Sequence, residues 1–470
     1  MIFSIEEKVS MKHMGKTVED LRIAYIGGGS RQWGRGLMSD LALADDISGT
    51  VSLYDIDRAA AEDNAIIGNS IDEGNSKWKY EVAESLKEVL TGADFVVISI
   101  QPGTFDEMES DVHVPEKYGI YQSVGDTSGP GGLIRALRAI PMFEEIAIAI
   151  KEYCPKAWVI NYTNPMTLCT GTLYRVFPGI KAFGCCHEVF GTQRLLVDVL
   201  EEKMGIKDVK REDIKVNVIG VNHFTWLTSA QYKNIDLFPI YKEFVEEHYK
   251  EGYVKDWEIF KATGFVASKQ MVKFDLFRRY GWIAAAGDRH LAEFCPGDWY
   301  LENNEKVQEW GFFLTPVSSR KDGLKTHYEN TRKLISGEQK FKLNPTGEEG
   351  VKQIRAILGL EDLCTNVNLP NVGQIPNLPK GAIVETNAQF TANSVHPVMA
   401  GEIPENILSL IGKIAAQQEM IKTAALNRDL DMAFSAFASD PLVRLPIDEA
   451  KKLFDEMIEN TKAYLTSYNI

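Results

Sequence analysis

The chain has 470 residues, 44% of them apolar and 25% charged, which is typical of a globular protein of roughly two to three domains. Its formal net charge of −15 argues against nucleic acid as a partner, because polyphosphate binding requires a basic surface. The first residues, "MIFSIEEKVSMKHMGKTVED", predict no signal peptide, and no apolar run approaches the ~18 residues of a membrane span. We therefore expect a cytoplasmic protein whose six cysteines are mostly free thiols.

The first half of the chain predicts an α/β fold with a doubly wound parallel sheet. Short apolar runs alternate with helical stretches, in the segments "LRIAYIGG", "TVSLYDID", "ADFVVISIQPG", "AWVINYTNPM", "IKAFGCCHEVFG" and "DIKVNVIGVNHFTW". Ligands of such sheets bind outside the carboxyl ends of the strands, so residues that follow strand ends are expected to converge there. They are Gly27, Gly28, Gly29, Ser30, Asp55, Gln101, Asn164, Cys186 and His223.

The second half has a different pattern. Aromatic and charged helices are predicted to about residue 345, then strands and loops in "NLPNVGQIPNLPKGAIVETNAQF", then helices to the end. We predict a short N-terminal extension over 1–20, a dinucleotide-binding domain over 21–225 and a mixed α+β domain over 226–470. The long helix "GGLIRALRAIPMFEEIAIAIKEY" contains Pro141, which predicts a kink or a break.

A glycine-rich loop follows the first predicted strand. In "IAYIGGGSRQWGRG", Gly27, Gly28 and Gly29 precede a helix, where glycines let a pyrophosphate approach the backbone at the helix N-terminus. The full fingerprint is absent, since Gln32 stands where its third glycine would be. Asp55, at the end of the next strand, can bind both ribose hydroxyls and would repel the extra phosphate of NADP. The pattern favours NAD, with a simple tight turn as the alternative, and leaves an ordinary dehydrogenase open.

Six motifs in this order resemble family 4 of the glycoside hydrolases, which are NAD- and metal-dependent and related in fold to malate and lactate dehydrogenases. The motifs are "IGGGS", "VGDTSGPGGLIRALRAIP", "NYTNPM", "CCHEVFG", "GVNHFTW" and "NVGQIPNLP", and the resemblance runs from about residue 21 to about 440. It implies hydrolysis through transient oxidation at sugar carbon 3, metal-assisted deprotonation at carbon 2, elimination, and addition of water. NAD would then be a catalyst with no net turnover.

The resemblance also implies roles for individual residues. Cys186 and His223 resemble the ligands of a metal that is usually manganese, although a thiolate with an imidazole would by itself suggest zinc. Asn164 resembles the residue that binds the sugar hydroxyls. His187, next to the metal cysteine, resembles an acid or an orienting partner in the sugar site. Asp288 falls near the position of the general base, and His290 and Tyr280 stay alternatives.

The pair Cys185 and Cys186 allows three interpretations: a disulfide, a buried apolar pair or a single metal ligand. The reducing compartment argues against the first, and the resemblance favours Cys186 as the ligand and Cys185 as a buried small residue. Other residues have plain structural alternatives as well. Arg135 and Arg138 could be surface ion-pair residues, and Trp226 and Trp299 are expected to pack rather than to bind sugar.

The substrate class follows in part from the motifs. Family members that bind sugar phosphates place an arginine where this chain has Met108, so a phosphorylated substrate is not expected. "CHEV" resembles the branch that acts on alpha-linked uronides, especially alpha-galacturonides from pectin. An alpha-galactosidase or alpha-glucuronidase stays an alternative, as do a malate-type dehydrogenase and a non-catalytic NAD or sugar sensor. A uronide carboxylate needs a cation, and Arg289 or Arg135 is the candidate. The family also implies a homodimer or homotetramer.

Overall fold

The computed structural model describes residues 11–71 and 77–470. The first ten residues of the predicted N-terminal extension lie outside this range. The strands are β1 Lys12–His13, β2 Val18–Ile26, β3 Ile47–Tyr54, β4 Trp78–Val82, β5 Phe95–Ile98, β6 Trp158–Asn161, β7 Lys181–Gly184, β8 Ile214–Val221, β9 Phe224–Tyr232, β10 Ile235–Asp236, β11 Ile283–Ala284, β12 Leu363–Pro370, β13 Ile383–Thr391 and β14 Ser394–Pro397.

Helices connect these strands and make up most of the second half. They are α1 Trp33–Leu43, α2 Arg58–Asn69, α3 Leu86–Leu90, α4 Phe105–His113, α5 Gly129–Tyr153, α6 Met166–Val176, α7 Glu188–Met204, α8 Leu237–His248, α9 Trp257–Thr263, α10 Met271–Tyr280, α11 Asp288–Glu293, α12 Gly297–Tyr300, α13 Asn304–Glu309, α14 Val317–Ile335, α15 Gly350–Ile357, α16 Glu405–Asn427, α17 Leu430–Ala438 and α18 Ile447–Thr461. No helix of the described residues has the length and apolar character needed to cross a bilayer.

The main sheet confirms the predicted α/β fold. Its parallel part has the order β4-β3-β2-β5-β6-β7, so the direction of winding reverses between β2 and β5. Ligands of doubly wound sheets bind at such a reversal. Alternate residues of the strands face opposite layers, as Val97 and Val96 of β5 do. Val97 packs in the layer that contains α1 and α15, and Val96 packs in the layer that contains α5.

Three strands from the second half extend this sheet. β12 pairs antiparallel with β7, and β13 and β14 continue outward from it. The predicted mixture of strands, loops and helices in the second half is thus observed, but part of it belongs to the main sheet. The domain boundary at residue 225 stays a prediction.

One predicted strand is not part of the parallel sheet. The segment "DIKVNVIGVNHFTW" folds instead into β8 and β9, an antiparallel hairpin that joins β10 and β11 in a second sheet. The reason is the short connection Asn222–His223, which can join antiparallel neighbours but not parallel strands. His223 therefore lies in a hairpin turn and not after the last parallel strand.

Helix α5 continues through Pro141, so the alternative of a break is wrong, and the alternative of a kink stays a prediction. Its residues 129–140 are all buried, between the sheet and the helices of the second half. Burial of apolar side chains on both sides of Pro141 offsets the one backbone hydrogen bond that a proline cannot donate. The helix thereby carries Arg135 and Arg138 into the interior.

Candidate active site

The glycine loop after β2 is held in a tight conformation. Gly27 has φ +93°, and a Cβ atom there would lie 2.0 Å from the carbonyl oxygen of Ser99. Only glycine fits at this position. The chain then enters α1, whose N-terminal N–H groups attract anions. Such a cradle fits the pyrophosphate of a dinucleotide.

Asp55 lies directly beside the loop. One carboxylate oxygen accepts a hydrogen bond from the Gly29 N–H at 2.8 Å, and the other accepts from the Asp57 N–H at 2.9 Å. Asn64 closes the loop from below, since its side-chain amide donates to the carbonyl oxygens of Gly28 and Ser30. The glycine loop and Asp55 therefore form one unit. If the loop holds the phosphates of a nucleotide, the Asp55 carboxylate is placed to bind the adjoining ribose.

Two further strand-end residues are joined by a buried arginine. The Arg135 Nε donates to the carbonyl oxygen of Asn164 at 3.0 Å, and its Nη2 donates to the Gln101 side chain at 3.2 Å. Arg138, one turn further along α5, is 1% exposed and pairs with the buried Asp111. The surface alternative for Arg135 and Arg138 is therefore wrong. Instead, Arg135 fixes the convergence of two strand ends that the topology predicts.

Next to this edge lies a cluster of potential metal ligands. Ligand atoms of Asp126, His223 and His290 all lie within 4.8 Å of one another, and the two imidazole centroids are 4.0 Å apart. The three residues come from the loop before α5, the β8–β9 turn and α11. Carboxylate and imidazole together suit first-row divalent cations such as manganese or zinc.

Hydrogen bonds orient the members of the cluster. The Thr127 hydroxyl donates to Asp126 at 2.7 Å and lies 3.1 Å from Nδ1 of His223. The Thr127 hydroxyl donates its single proton to Asp126, so it can only accept from His223. His223 therefore donates through Nδ1–H, and its Nε2 keeps the lone pair that a metal requires. Asn164 donates to Asp126 at 3.2 Å, while its own Oδ1 is buried without a partner among the described residues. An unpaired acceptor at this position fits a ligand hydroxyl group.

Cys186 is 6% exposed and follows β7. Burial raises the pKa of its thiol well above the usual value, as do the nearby carboxylates of Glu385 and Glu188. A hydrogen bond from Asn222, the residue before His223, opposes this effect. The thiol is thus linked to the β8–β9 turn through Asn222, but it is not one of the three residues whose ligand atoms lie within 4.8 Å of one another. Only a bound cation would make it a thiolate. No disulfide joins any of the six cysteines, all of which lie in the described residues, so the disulfide interpretation is wrong, and Cys185 is buried as expected.

His187 contacts a different surface from the cluster. Its Nδ1 lies 2.8 Å from a carboxylate oxygen of Glu348, which raises the pKa of the imidazole, and its ring stacks on Trp33. With these residues it lines a cavity of about 400 Å³ between α1 and the loop before α15. The predicted role of His187 in the sugar site stays a prediction.

Asp288 and Arg289 begin α11. Asp288 is fully buried, and one of its oxygens accepts from the backbone N–H of Lys273 at 3.1 Å. Burial raises the pKa of the carboxyl to about 6 despite the nearby Lys273 ammonium. Arg289 donates to the backbone oxygens of Ser123 and Phe313, so Nε and Nη2 of its guanidinium are used within the protein. Both assignments stay predictions.

Several residues of this site were not predicted from the sequence. Asp126 lies in the quoted motif "VGDTSG", where an acid among glycines before a long helix was a usable signal. Thr127, Asn222 and Glu385 had no such signal, because their roles depend on distant partners. Trp226 is fully buried, so its predicted packing role is confirmed. Tyr280 packs edge-on against Trp226, at 5.9 Å between ring centroids.

Two family models match the chain and together cover most of it. Family 4 glycosyl hydrolase matches residues 22–202, and the C-terminal domain of the same family matches residues 218–443. The chain belongs to glycosyl hydrolase family 4. The resemblance that the motifs indicated is therefore confirmed.

The similarity to known proteins extends over nearly the whole chain. An alpha-galacturonidase of Thermoanaerobacterium saccharolyticum is 60% identical over 463 residues, covering 98% of this chain and 100% of the relative. The crystal structure of lplD from Bacillus subtilis, which bears the name of a glucosidase, has 52% identity and a TM-score of 0.90 over 93% of this chain and all of that one. A 6-phospho-alpha-glucosidase from gut microorganisms, solved with NAD and Mn²⁺, has 21% identity and a TM-score of 0.79, covering 95% and 99% of the two chains. At that identity it is evidence for the family 4 fold alone.

Proposed function

We propose that this protein hydrolyses alpha-galacturonides with bound NAD and a divalent cation, manganese by family resemblance. The observation that carries the proposal is the 60% identity over 98% of the chain to an alpha-galacturonidase. The geometry supports it, because a dinucleotide cradle and a cluster of metal ligands lie at one edge of the sheet. Asn164 links the two regions. Its backbone carbonyl accepts from Arg135, which also contacts Gln101, and its side chain donates to Asp126 of the cluster.

Different residues of the chain would have different roles in this reaction. When bound, NAD supplies reversible hydride uptake at the sugar ring, and the metal supplies Lewis acidity. Gly27 to Gly29, Ser30, Asp55 and Gln101 would hold the dinucleotide, while Cys186, His223 and Asp126 would hold the metal. Asn164 would orient the sugar through its unpaired Oδ1. Cys186 and His223 are buried, which limits the access of water to that part of the site.

We propose Asp288 as the group that takes the proton from sugar carbon 2. Its raised pKa, about 6, lies near neutral pH, where a general base works best. One oxygen is fixed by the α10 backbone, while its Oδ2 is buried without a partner among the described residues. His290 is the rival, because its ring is in the ligand cluster. Replacement of Asp288 by Asn should abolish exchange of the carbon 2 proton with D₂O. Retained exchange in that variant, with loss on replacing His290 by Gln, would assign the role to His290.

The uronide carboxylate calls for a cationic partner, and Arg289 and Arg135 are the candidates. Both already donate to backbone carbonyls, so either would bind the carboxylate with its remaining N–H groups. If Arg289→Met and Arg135→Met both keep the discrimination between galacturonide and galactoside, both assignments are wrong. Met108 packs against Val112 and Val317, an environment that suits no sugar phosphate.

The test of the proposal is cleavage of a panel of alpha-galacturonide, alpha-glucuronide, alpha-galactoside and alpha-glucoside. Each is assayed under reducing conditions with NAD and Mn²⁺, and with either omitted. Cleavage of the galacturonide that requires both and leaves no net NADH supports the proposal. Preferred cleavage of another sugar corrects the substrate alone. Steady accumulation of NADH would instead indicate a dehydrogenase, and binding of NAD without any reaction would indicate a sensor.

We further propose a cytoplasmic location, a pectin-derived substrate and a homodimeric or homotetrameric assembly. The lack of disulfides among the described residues suits a reducing compartment. The substrate source follows from the uronide specificity proposed above. Sedimentation of the purified protein would measure the assembly directly.

A further inference from the structure

A buried polar network joins β12 and β13 to the loops of the active site. It consists of Asn366 and Asn368 on β12, Glu385 on β13 and Asn222 in the β8–β9 turn, and each is at most 4% exposed. Side chains two residues apart on a strand share a face, so both β12 asparagines point the same way. Glu385 is the register partner of Asn368, so its carboxylate lies on the same face of the sheet as the two asparagine side chains. Apolar side chains would be expected at these positions of a buried sheet.

Amide groups supply all the hydrogen bonds that the structure gives to Glu385. Its Oε1 accepts from Asn366 at 2.7 Å, and its Oε2 accepts from Asn222 at 3.0 Å and from Asn368 at 3.2 Å. Burial raises the pKa of the Glu385 carboxyl, and the three amide N–H donors oppose this effect by favouring the carboxylate. No ion pair of the described residues includes Glu385, although a buried charge without a counter-charge is costly. A cation nearby would favour the carboxylate and offset this cost.

The same asparagines reach the residues around the ligand cluster. Asn366 also donates to the carbonyl oxygen of Cys186 at 3.3 Å. Asn222 precedes His223 in the chain and hydrogen bonds to the Cys186 thiol. Asn368 contacts the sulfur of Met166, two residues after Asn164, at 3.3 Å. One carboxylate thus connects the loop after β6, the loop after β7 and the β8–β9 turn.

We propose that Glu385 is a positioning residue that aligns Cys186 and His223 and balances the charge of the cation that they hold. The inference rests on the metal site of the proposed function. Glu385 acts through Asn222 and Asn366, so the expected effect of its loss is on metal affinity before any effect on sugar binding. Outer-shell partners of metal ligands commonly change affinity by about 10- to 100-fold.

The test compares E385Q with D440N. Asp440 is also a buried carboxylate, 3% exposed, that accepts from the Gln417 amide and from the backbone N–H groups of Leu442 and Gly129, and it lies between α17 and α18. Each full-length apoprotein is titrated with Mn²⁺, and the free ion is measured by its EPR signal. The same samples are melted with chelator and with saturating Mn²⁺. H223A is titrated in parallel as the ligand variant.

We expect E385Q to weaken Mn²⁺ binding by about 10- to 100-fold, and D440N by less than about twofold. The gap between the apo and the Mn²⁺-loaded melting temperature should shrink in E385Q alone. Wild-type affinity in E385Q, together with loss of binding in H223A, would overturn this inference and leave the proposed function intact. Wild-type affinity in both would overturn the metal site as well.

If E385Q does not fold, the variant N366A replaces it in the test. It keeps the carboxylate and removes only its link to Cys186. Unchanged Mn²⁺ affinity in N366A overturns the inference, and about tenfold weaker binding supports it.

Discussion

The cofactor cradle and the ligand cluster lie on the same edge of the sheet but are built differently. The cradle comes from one short stretch of chain, Gly27 to Asp55, and its main contacts are backbone N–H groups. The cluster gathers Asp126, His223 and His290 from three separate elements, and its contacts are made by side chains. The cradle depends on local conformation, whereas the cluster depends on long-range packing.

This difference predicts how each region fails. A backbone cradle is lost when a Cβ atom occupies its space, whereas substitutions away from the loop and from the side chains that contact it leave it intact. A side-chain cluster is lost with any one ligand or with the residues that orient it. The following substitutions separate the two modes, in order of expected effect on turnover.

His223→Ala should lower kcat by about 1,000-fold, because Lewis-acid stabilisation is worth several kcal/mol. NAD affinity should stay unchanged, since the cradle contains no residue of the cluster. The measurements are steady-state kinetics and titration of NAD by fluorescence. His113→Ala is the matched control, because His113 pairs with Glu116 at the C-terminal end of α4 and is not part of the cluster. Equal losses in both variants would contradict a specific role for His223.

Gly27→Ala should weaken NAD binding strongly and cost about 3 kcal/mol of unfolding free energy. Its positive φ costs about 1–2 kcal/mol for alanine, and the Cβ collides with the Ser99 carbonyl oxygen besides. Gly281→Ala is the control, since Gly281 has φ +75° but open space around its Cβ. It should show the backbone cost alone. Urea unfolding and NAD titration measure both variants, and equal stabilities would argue against the steric explanation.

Asp55→Asn should weaken NAD binding by about tenfold, because hydrogen bonds to a charged group are worth about 1.5–3 kcal/mol. It should also narrow the preference for NAD over NADP, since the repelling charge is gone. Asp57→Asn, two residues away, caps α2 and should leave both unchanged, because Asn caps a helix as well as Asp does. Calorimetric titration with each cofactor checks this. If Asp55→Asn keeps the preference for NAD over NADP, a residue other than Asp55 discriminates between the two cofactors.

Asp440→Asn should leave turnover unchanged and alter only the pH dependence of stability. Burial raises the pKa of Asp440 to about 6 in the folded protein, from 3.8. Between these values the folded state binds more protons than the unfolded state, so the wild type loses stability as pH rises through about 6. The variant lacks this loss, and its stability relative to wild type should increase from pH 4 to pH 7. Urea unfolding at both pH values measures the difference; a constant difference would contradict the raised pKa.

Sequence patterns of only a few residues were enough to predict much of the fold. The alternation of strands and helices predicted the parallel sheet, and the glycine loop with Asp55 predicted the cradle, because both depend on local periodicity and on chain neighbours. The hairpin of β8 and β9 was missed, since a strand's apolar pattern does not reveal its partner. The predicted break at Pro141 failed because packing on both sides of α5 overrides the local preference.

The sequence by itself determined the sheet, the backbone cradle, the list of residues at strand ends and the resemblance to family 4. The tertiary structure alone decided which of those residues meet. Asp126 joins His223 and His290, Arg135 becomes a buried link, and Glu385 connects three loops. The physical reason is distance along the chain: backbone conformation is encoded over a few residues, whereas the balance of buried charges depends on partners that only folding brings together.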